Sequence, residues 1–376
     1  IIMLRKSLVR SFSAVNPSFL AKDLEFKYKH RVTPNLDGED FKFGKLCTDH
    51  MLVIKHTDER GWTKPLIEPM RHFNIHPFNS TIHYSLGCFE GMKAYKSADD
   101  KLYLFRPMEN MKRFLVSNER LAFAPFSPEE LLKCIVEYVK LEKNWIPKTK
   151  HSSLYLRPTG MALEDTLGVH RASSNMIFVV ASPVGSYFTG SIKLSVCEDY
   201  WRGTPHSASG YKLSSNYAPT VLIGHELAKR GYSQAIWSYK EQLLESGATN
   251  MFFVIKNKAG ETEVVTHPLD GSILPGITRD SIIQLHKDIF PKYKMSERPF
   301  TITEFIECHK EGRFKEVFVT GTASVIGNVK EIELRDNVYE FNEDEQHNEY
   351  SRKMREYIVG IQHGEIKHPY AYAIPE

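Results

Sequence analysis

Gly210-Tyr211-Lys212-Leu213-Ser214-Ser215-Asn216-Tyr217-Ala218-Pro219 puts one lysine at the end of a loop and a tyrosine five residues later. Pro219 stands near the start of a helix-like segment, and Gly231 lies just past its end at Arg230. A lysine among small residues and a tyrosine has the chemistry of a Schiff-base nucleophile, because a carbonyl cofactor needs an amine whose charge can be removed. Taken alone, a lysine ahead of a helix is usually a solvated charge. The runs downstream decide between the two.

Leu243-Leu244-Glu245-Ser246-Gly247-Ala248-Thr249-Asn250 sets a single carboxylate at the mouth of a strand. A buried carboxylate there would keep a pyridine nitrogen protonated; an exposed one would be a turn residue. Leu274-Pro275-Gly276-Ile277-Thr278-Arg279-Asp280 is a glycine turn leading into a helix, which offers amide N–H groups and a positive dipole end to a phosphate. Thr320-Gly321-Thr322-Ala323-Ser324 follows a strand, and its small residues let backbone amides approach an anion. With Arg113 and Arg157, the chain provides for two anions. It has no G-x-G-x-x-G after a strand, no P-loop and no H-E-x-x-H.

Upstream, short strands and turns occupy Phe43 to Tyr103, with Met51–Ile54 and Leu102–Phe105 as strands. A helical period runs over Asn110–Ala122. Ser127-Pro128-Glu129-Glu130 forms a capping box that opens a second helix, which Pro147 ends. Strands follow at Leu154–Pro158 and Met176–Ala181. Beyond a linker come strands at Ile192–Val196 and Gln234–Trp237, and a hairpin of Asn250–Lys256 with Glu263–Thr266. A helix after Pro275-Gly276, a strand at Glu316–Val319 and a last helix over about Ser351–Gln362 complete the chain. The pattern predicts an α+β or α/β chain without alternating βαβ units. It divides into a tail at 1–22, a small N-terminal α/β domain at 23–183, a loop at 184–190 and a larger domain at 191–376 with a mixed, mostly antiparallel sheet.

The 376 residues are 41 % hydrophobic and 25 % charged, with a net charge of +3, and no long basic run points to a nucleic acid. The five cysteines are scattered, with no C-x-x-C, as in a reducing compartment. No apolar run approaches the ~20 residues of a membrane-spanning helix. Met3 to Ser13 is basic, serine-rich and free of acids, the composition of a mitochondrial transit peptide or of a disordered basic tail. Without such a leader the location would be cytoplasmic.

Several motifs occur together and in order. They are Tyr84 to Tyr95 (Tyr-Ser-Leu-Gly-Cys-Phe-Glu-Gly-Met-Lys-Ala-Tyr), Phe105-Arg106-Pro107 with Arg113, Tyr155-Leu156-Arg157-Pro158, Tyr211 to Tyr217, Glu245, Leu274 to Arg279, and Gly321-Thr322-Ala323. In this set the chain resembles the branched-chain amino-acid aminotransferases, class IV pyridoxal-phosphate enzymes of fold type IV, from about Phe43 to its end. The resemblance implies a homodimer that exchanges an amino group between L-leucine, L-isoleucine or L-valine and 2-oxoglutarate by a ping-pong route. It implies pyridoxal 5'-phosphate held by Lys212 as Schiff-base lysine, Tyr217 at the phenolic oxygen and Glu245 at the ring nitrogen. Arg113, the amides of Ile277 and Thr278, and Thr322 would hold the phosphate. Thr322 and Ala323 would receive the substrate α-carboxylate. Phe43, Tyr84, Phe89, Tyr155 and Tyr187 would wall the side-chain pocket, with Tyr84 from the other subunit, and Arg157 would meet the distal carboxylate of glutamate.

Within that group D-amino-acid transaminase and aminodeoxychorismate lyase are the rival readings, and a silent scaffold relative is a third. Two departures from animal-type members stand out. Ser324 and Gly327 stand where some carry a C-x-x-C pair, which rules out a thiol switch there. Ala248 stands where they carry threonine, ahead of Thr249, so the preference among substrates is not legible.

Overall fold

A computed structural model describes residues 18–28, 36, 41–149, 152–185, 191–342 and 347–375. The basic stretch Met3–Ser13 and Tyr187 lie outside the described residues.

The strand Ser153–Ala162 shows how the first half is built. Leu154 and Leu156 point into a core with Ile54, Met92 and Ala94, while Tyr155 and Arg157, alternating with them, take the opposite face. That core is closed by two helices. Pro107–Arg120 inserts Met111 and Phe114; Pro128–Leu141 inserts Leu131, Ile135 and Val139. Ser127 caps the second helix by accepting from the Glu130 amide at 3.2 Å. The Glu130 carboxylate does not return the bond, and accepts instead from the Ala21 amide at 2.6 Å. Only half of the expected capping box therefore forms, because its acid is drawn to another segment. The helix also stops at Leu141, ahead of Pro147, and a 3-10 turn covers Lys143–Trp145.

Antiparallel pairing joins Ser153–Ala162 to Met92–Lys96 on one side and to Ser174–Val184 on the other. The sheet continues through His50–Thr57 and Leu66–Pro69 at one end and Leu102–Phe105 at the other. Its outermost strand, Ala371–Ala373, comes from the end of the chain and pairs with Leu102–Phe105.

The second sheet draws on residues 192–340. Ile192–Cys197 lies parallel to both Gln234–Tyr239 and Val325–Leu334; most other pairs are antiparallel. Thr249–Lys256 is buried up to Ile255 because both faces are covered. Phe252 and Val254 meet the helices Ile277–Ile289 and Glu349–Gln362, while Phe253 and Ile255 meet Ile302–Lys310. Met354, Ile358 and Ile361 turn inward from the helix Glu349–Gln362, and Gly364 (φ +73°) ends it in the left-handed region. The Pro219–Arg230 segment forms a 3-10 turn, Ala218–Thr220, before the α-helix Val221–Lys229.

Candidate active site

Lys212 lies between two 3-10 turns, Ala208–Gly210 and Ser214–Asn216. Its position is fixed from the first sheet. The Lys212 amide donates to Ser117 Oγ at 3.1 Å, the Phe89 amide donates to the Lys212 carbonyl at 3.1 Å, and Leu213 bridges Cys88. The lysine of the second half is thus held by the strand Gly87–Phe89 and the helix Pro107–Arg120 of the first.

Its Nζ donates to Tyr217 Oη at 3.1 Å and stands 4.9 Å from the Phe89 ring centre. Burial pushes the Tyr217 phenol up, but the charges of Lys212, Arg202 and Arg113 outweigh it and hold the phenol below its ordinary value. A phenol in that field is a strong hydrogen-bond donor to an incoming oxyanion.

Glu245 is the penultimate residue of the strand Gln242–Ser246 and is only 2 % exposed. The exposed-turn alternative for it does not hold. Its carboxylate meets the Arg202 guanidinium and accepts from the Leu274 amide at 3.5 Å. Arg202 is buried as well, and its guanidinium carbon lies 5.6 Å from the Tyr217 ring centre. Arg202 therefore connects Glu245 to Tyr217.

Arg113 sits in the middle of the helix Pro107–Arg120. Nε and Nη2 grip Glu90 at 2.6 and 2.9 Å, and Nη1 donates to the Pro275 carbonyl at 2.9 Å. Glu90 is fully buried; desolvation alone would raise its pKa, but Arg113, Lys212 and Asn110 hold it below the usual carboxylate range. Pro275 leads to Gly276, where a Cβ would come within 2.0 Å of Asn250 Oδ1. Only glycine fits this close approach. Asn250 in turn donates to the Leu274 carbonyl at 3.0 Å. Gly276 is the N-cap of the helix Ile277–Ile289, and among the described residues no side chain caps that end, which leaves the Ile277 and Thr278 amides at an uncapped helix start. Ile277, Thr278 and Thr322 line one small cavity of about 20 Å³, together with Lys93 and Asn110.

Thr322 and Ala323 lie in the turn between the strands Phe314–Gly321 and Val325–Leu334. Val325 takes φ +58°, a left-handed conformation that costs a β-branched residue about 1–3 kcal/mol. Thr320 Oγ1 donates to the Val325 carbonyl at 2.7 Å, and Lys93 Nζ donates to the Ala323 carbonyl at 2.8 Å.

The aromatic residues form one wall. Phe43 packs edge-on to Tyr155 at 4.8 Å, and Phe89 lies 4.9 Å from Tyr217. The Arg157 guanidinium spans Phe89 at 4.6 Å and Tyr155 at 5.2 Å, and its Nη2 donates to Tyr155 Oη at 3.2 Å. Its buried Nε has no hydrogen-bond partner among the described residues. Gly91 is required beside Tyr155, since a Cβ there would fall 2.0 Å from Tyr155 Oη.

The structure thus brings together Lys212, Tyr217, Glu245, Arg113, Ile277, Thr278, Thr322, Ala323, Phe43, Phe89, Tyr155 and Arg157. Tyr84 is apart: it closes the short helix Ser80–Tyr84, and its hydroxyl meets the Leu167 carbonyl. Ala248 lies exposed in the turn after Glu245, and the neighbouring Thr249 Oγ1 is occupied by the Ser246 carbonyl at 2.7 Å. Sequence reasoning missed Arg202, Glu90 and Lys93. Glu90 and Lys93 did leave a signal, since they are charges inside the apolar run Leu86–Tyr95. Arg202, in a loop, left none.

A family model for class IV aminotransferases matches residues 87–332. The mitochondrial branched-chain-amino-acid aminotransferase of Schizosaccharomyces pombe is 39 % identical over 89 % of this chain and 80 % of its own length. The cytosolic enzyme of that name from Rattus norvegicus is 36 % identical over 95 % of this chain and 88 % of its own. The crystal structure of branched-chain amino acid aminotransferase from Thermobaculum terrenum in its PLP-form superposes with a TM-score of 0.66. It is 18 % identical and covers 87 % of this chain and 99 % of that one. The structural likeness shows the fold, and identity of this extent with full-length relatives places the sequence: the chain belongs to the class IV aminotransferases and, within them, to the branched-chain-amino-acid aminotransferases.

Proposed function

We propose that the chain transfers the amino group of L-leucine, L-isoleucine or L-valine to 2-oxoglutarate, with pyridoxal 5'-phosphate held at Lys212. The observation that carries this reading is the line from Lys212 Nζ through Tyr217, both half-buried, to the buried pair Arg202 and Glu245. It offers an amine, a phenol and a carboxylate to the aldehyde, the phenolic oxygen and the ring nitrogen of one pyridine. The uncapped helix start at Ile277, approached closely because Gly276 has no side chain, fits the phosphate. The bound cofactor supplies an aldehyde for the amine and an electron-accepting ring for the bond to the substrate α-hydrogen.

The chain's own groups do the rest. Tyr217 Oη donates to the phenolic oxygen. Glu245, in contact with Arg202, would hold a proton on the ring nitrogen. Arg113 acts through Pro275: its bond to that carbonyl aims the helix start at the phosphate, and Thr322 closes the cradle. Lys212 Nζ would hold the cofactor aldehyde and, once released, would accept and move the proton of the substrate Cα. The α-carboxylate rests on the Thr322–Ala323 turn.

Phe43, Phe89 and Tyr155 accept a branched aliphatic side chain and exclude water from it. The unpartnered Nε of Arg157 at the edge of that wall receives the γ-carboxylate of glutamate, which an apolar pocket alone would reject. Tyr84 belongs to the neighbouring subunit's pocket in a homodimer. Its separation from the Lys212 cluster supports this, as do the exposed side chains of Phe78, Ile82, Leu167 and Val169 around it. Relatives at this similarity include mitochondrial and cytosolic proteins; the basic, acid-free stretch Met3–Ser13 supports the mitochondrion.

The visible absorption of the purified protein tests the reading. A yellow protein that bleaches with L-leucine and recovers with 2-oxoglutarate is the expected result. A response to a D-amino acid in place of L-leucine would overturn the substrate assignment, and failure to take up pyridoxal phosphate would overturn the enzyme reading.

A further inference from the structure

His50, at the start of the strand His50–Thr57, is paired with Glu142, just past the helix Pro128–Leu141, through Nδ1 and Oε1 at 2.5 Å. Tyr138 and Thr48 complete the group. The Tyr138 hydroxyl donates to the His50 carbonyl at 3.0 Å and meets Thr48 Oγ1 at 2.7 Å. None of the four residues is more than 2 % exposed. Burial raises the Glu142 carboxyl above its ordinary value against the pull of His50. Apolar side chains of similar volume would fill such a place at least as stably, so the pair calls for another reason than stability.

The reason lies in the backbone that the pair grips. Glu142 Oε2 accepts from the Asp49 amide at 3.3 Å, so the helix end holds the chain at Thr48–His50 by two of its amino acids, Tyr138 and Glu142. The Thr48 amide donates to the Ala181 carbonyl at 3.1 Å, and the Phe41 carbonyl accepts from the Gly185 amide at 3.3 Å. Between these two feet, residues 42–47 form an exposed loop on the end of the strand Ser174–Val184. That loop carries Phe43, whose ring leans on Tyr155. Tyr155 pairs with Ser182, the residue after Ala181. The downstream foot therefore stands beside the strand position that carries the ring Phe43 must meet.

We propose that the buried pair His50–Glu142 is a positioning device for Phe43: by fixing the Thr48–His50 foot of the loop, it sets where the Phe43 ring stands against Tyr155, and with it the preference for a branched side chain over a short one. This rests on the functional reading above, in which Phe43 belongs to the side-chain wall.

The measure is the ratio of half-reaction efficiencies for L-leucine and L-alanine, read from bleaching of the holoenzyme. Pyridoxal phosphate retention and thermal unfolding are followed beside it. Phe43→Ala sets the scale and should lower the ratio about tenfold. His50→Leu with Glu142→Leu removes the pair and should lower it about threefold or more, through KM for L-leucine rather than kcat, with cofactor retention unchanged. His50→Asn, which keeps a donor toward Glu142, should stay within about twofold of wild type. In a Phe43→Ala chain the double leucine replacement should change the ratio by less than about twofold, since both act through one ring.

A wild-type ratio in the double leucine variant would make the pair structural and overturn the proposal, as would additive losses in the Phe43→Ala chain. If the double leucine variant does not fold, Glu142→Asp, which draws the carboxylate back by one methylene, takes its place, and a wild-type ratio there overturns the proposal equally. A Phe43→Ala chain with the wild-type ratio would instead overturn the place of Phe43 in the functional reading, and the proposal with it.

Discussion

At the scale of single residues, the site is governed by charges that cannot be removed one at a time. Glu245 and Arg202 are both nearly inaccessible to solvent and touch each other. Glu245→Ala leaves a buried guanidinium without its anion, which costs about 3–5 kcal/mol of stability. Arg202→Met with Glu245→Ala removes both charges, and thermal or urea unfolding should show the double variant destabilised by less than the Glu245→Ala variant alone. Additive losses would mean that the two do not act as a pair. Lys93 gives the pH counterpart. Burial holds its pKa near 8 in the fold, below its ordinary 10.5, so between those values the unfolded chain binds more protons and stability rises with pH. Below pH 8 both states are protonated and the full penalty is present. The facing groups Asn110, Thr278, Thr322 and Gln362 do not titrate, and burial pushes Tyr95 above this window. Urea melts of cofactor-free protein should therefore show Lys93→Met gaining on wild type at pH 7 and the gap closing toward pH 10. Lys212→Ala is the chemical control: it should lose transamination, read from the absence of bleaching by L-leucine, and still bind pyridoxal phosphate.

At the scale of elements, the decisive feature is the start of the helix Ile277–Ile289. Its amides are free because no side chain caps them, and they are reachable because Gly276 packs against Asn250 with no room for a methyl group. Gly276→Ala forces Asn250 or the helix start to move, so it should weaken pyridoxal phosphate retention, measured by absorbance titration, while Ser127→Ala, at a remote cap, costs about 1 kcal/mol of stability and leaves retention unchanged. Elements of this kind were legible in the sequence. Proline, glycine and alternation marked the hairpin Thr249–Thr266, the strand at Tyr155–Arg157 and both long helices, because those signals are local. The boundaries were less so: Glu130 was expected to close its own capping box and serves Ala21 instead, a contact more than a hundred residues away that no local pattern encodes. Lys212, Glu245 and Thr322 stood out because small residues and turns surround them. Arg202 did not, since a loop arginine acquires its role only when Glu245 and Tyr217 are folded against it.

At the scale of the molecule, the site belongs to both sheets. Lys212 comes from the second half and is held by Ser117, Phe89 and Cys88 of the first. The chain's end also returns to the first sheet through Ala371–Ala373. Within this closed unit the aromatic wall has Phe43, Phe89 and Tyr155, but Tyr84 is directed to Leu167, beside the exposed side chains of Ile82 and Val169. In the homodimer proposed above, that patch would lie between the two copies and Tyr84 would complete the other copy's site. Complementation tests this without relying on either variant's own activity. In a mixture of Lys212→Ala and Tyr84→Ala chains, each heterodimer has one site with Lys212 from one copy and Tyr84 from the other. Random pairing makes about half the dimers mixed, so about a quarter of all sites should regain wild-type KM for L-leucine after the two inactive or impaired proteins are unfolded and refolded together. If Tyr84 served its own subunit's pocket, every site in the mixture would lack either the lysine or the tyrosine, and mixing would restore nothing.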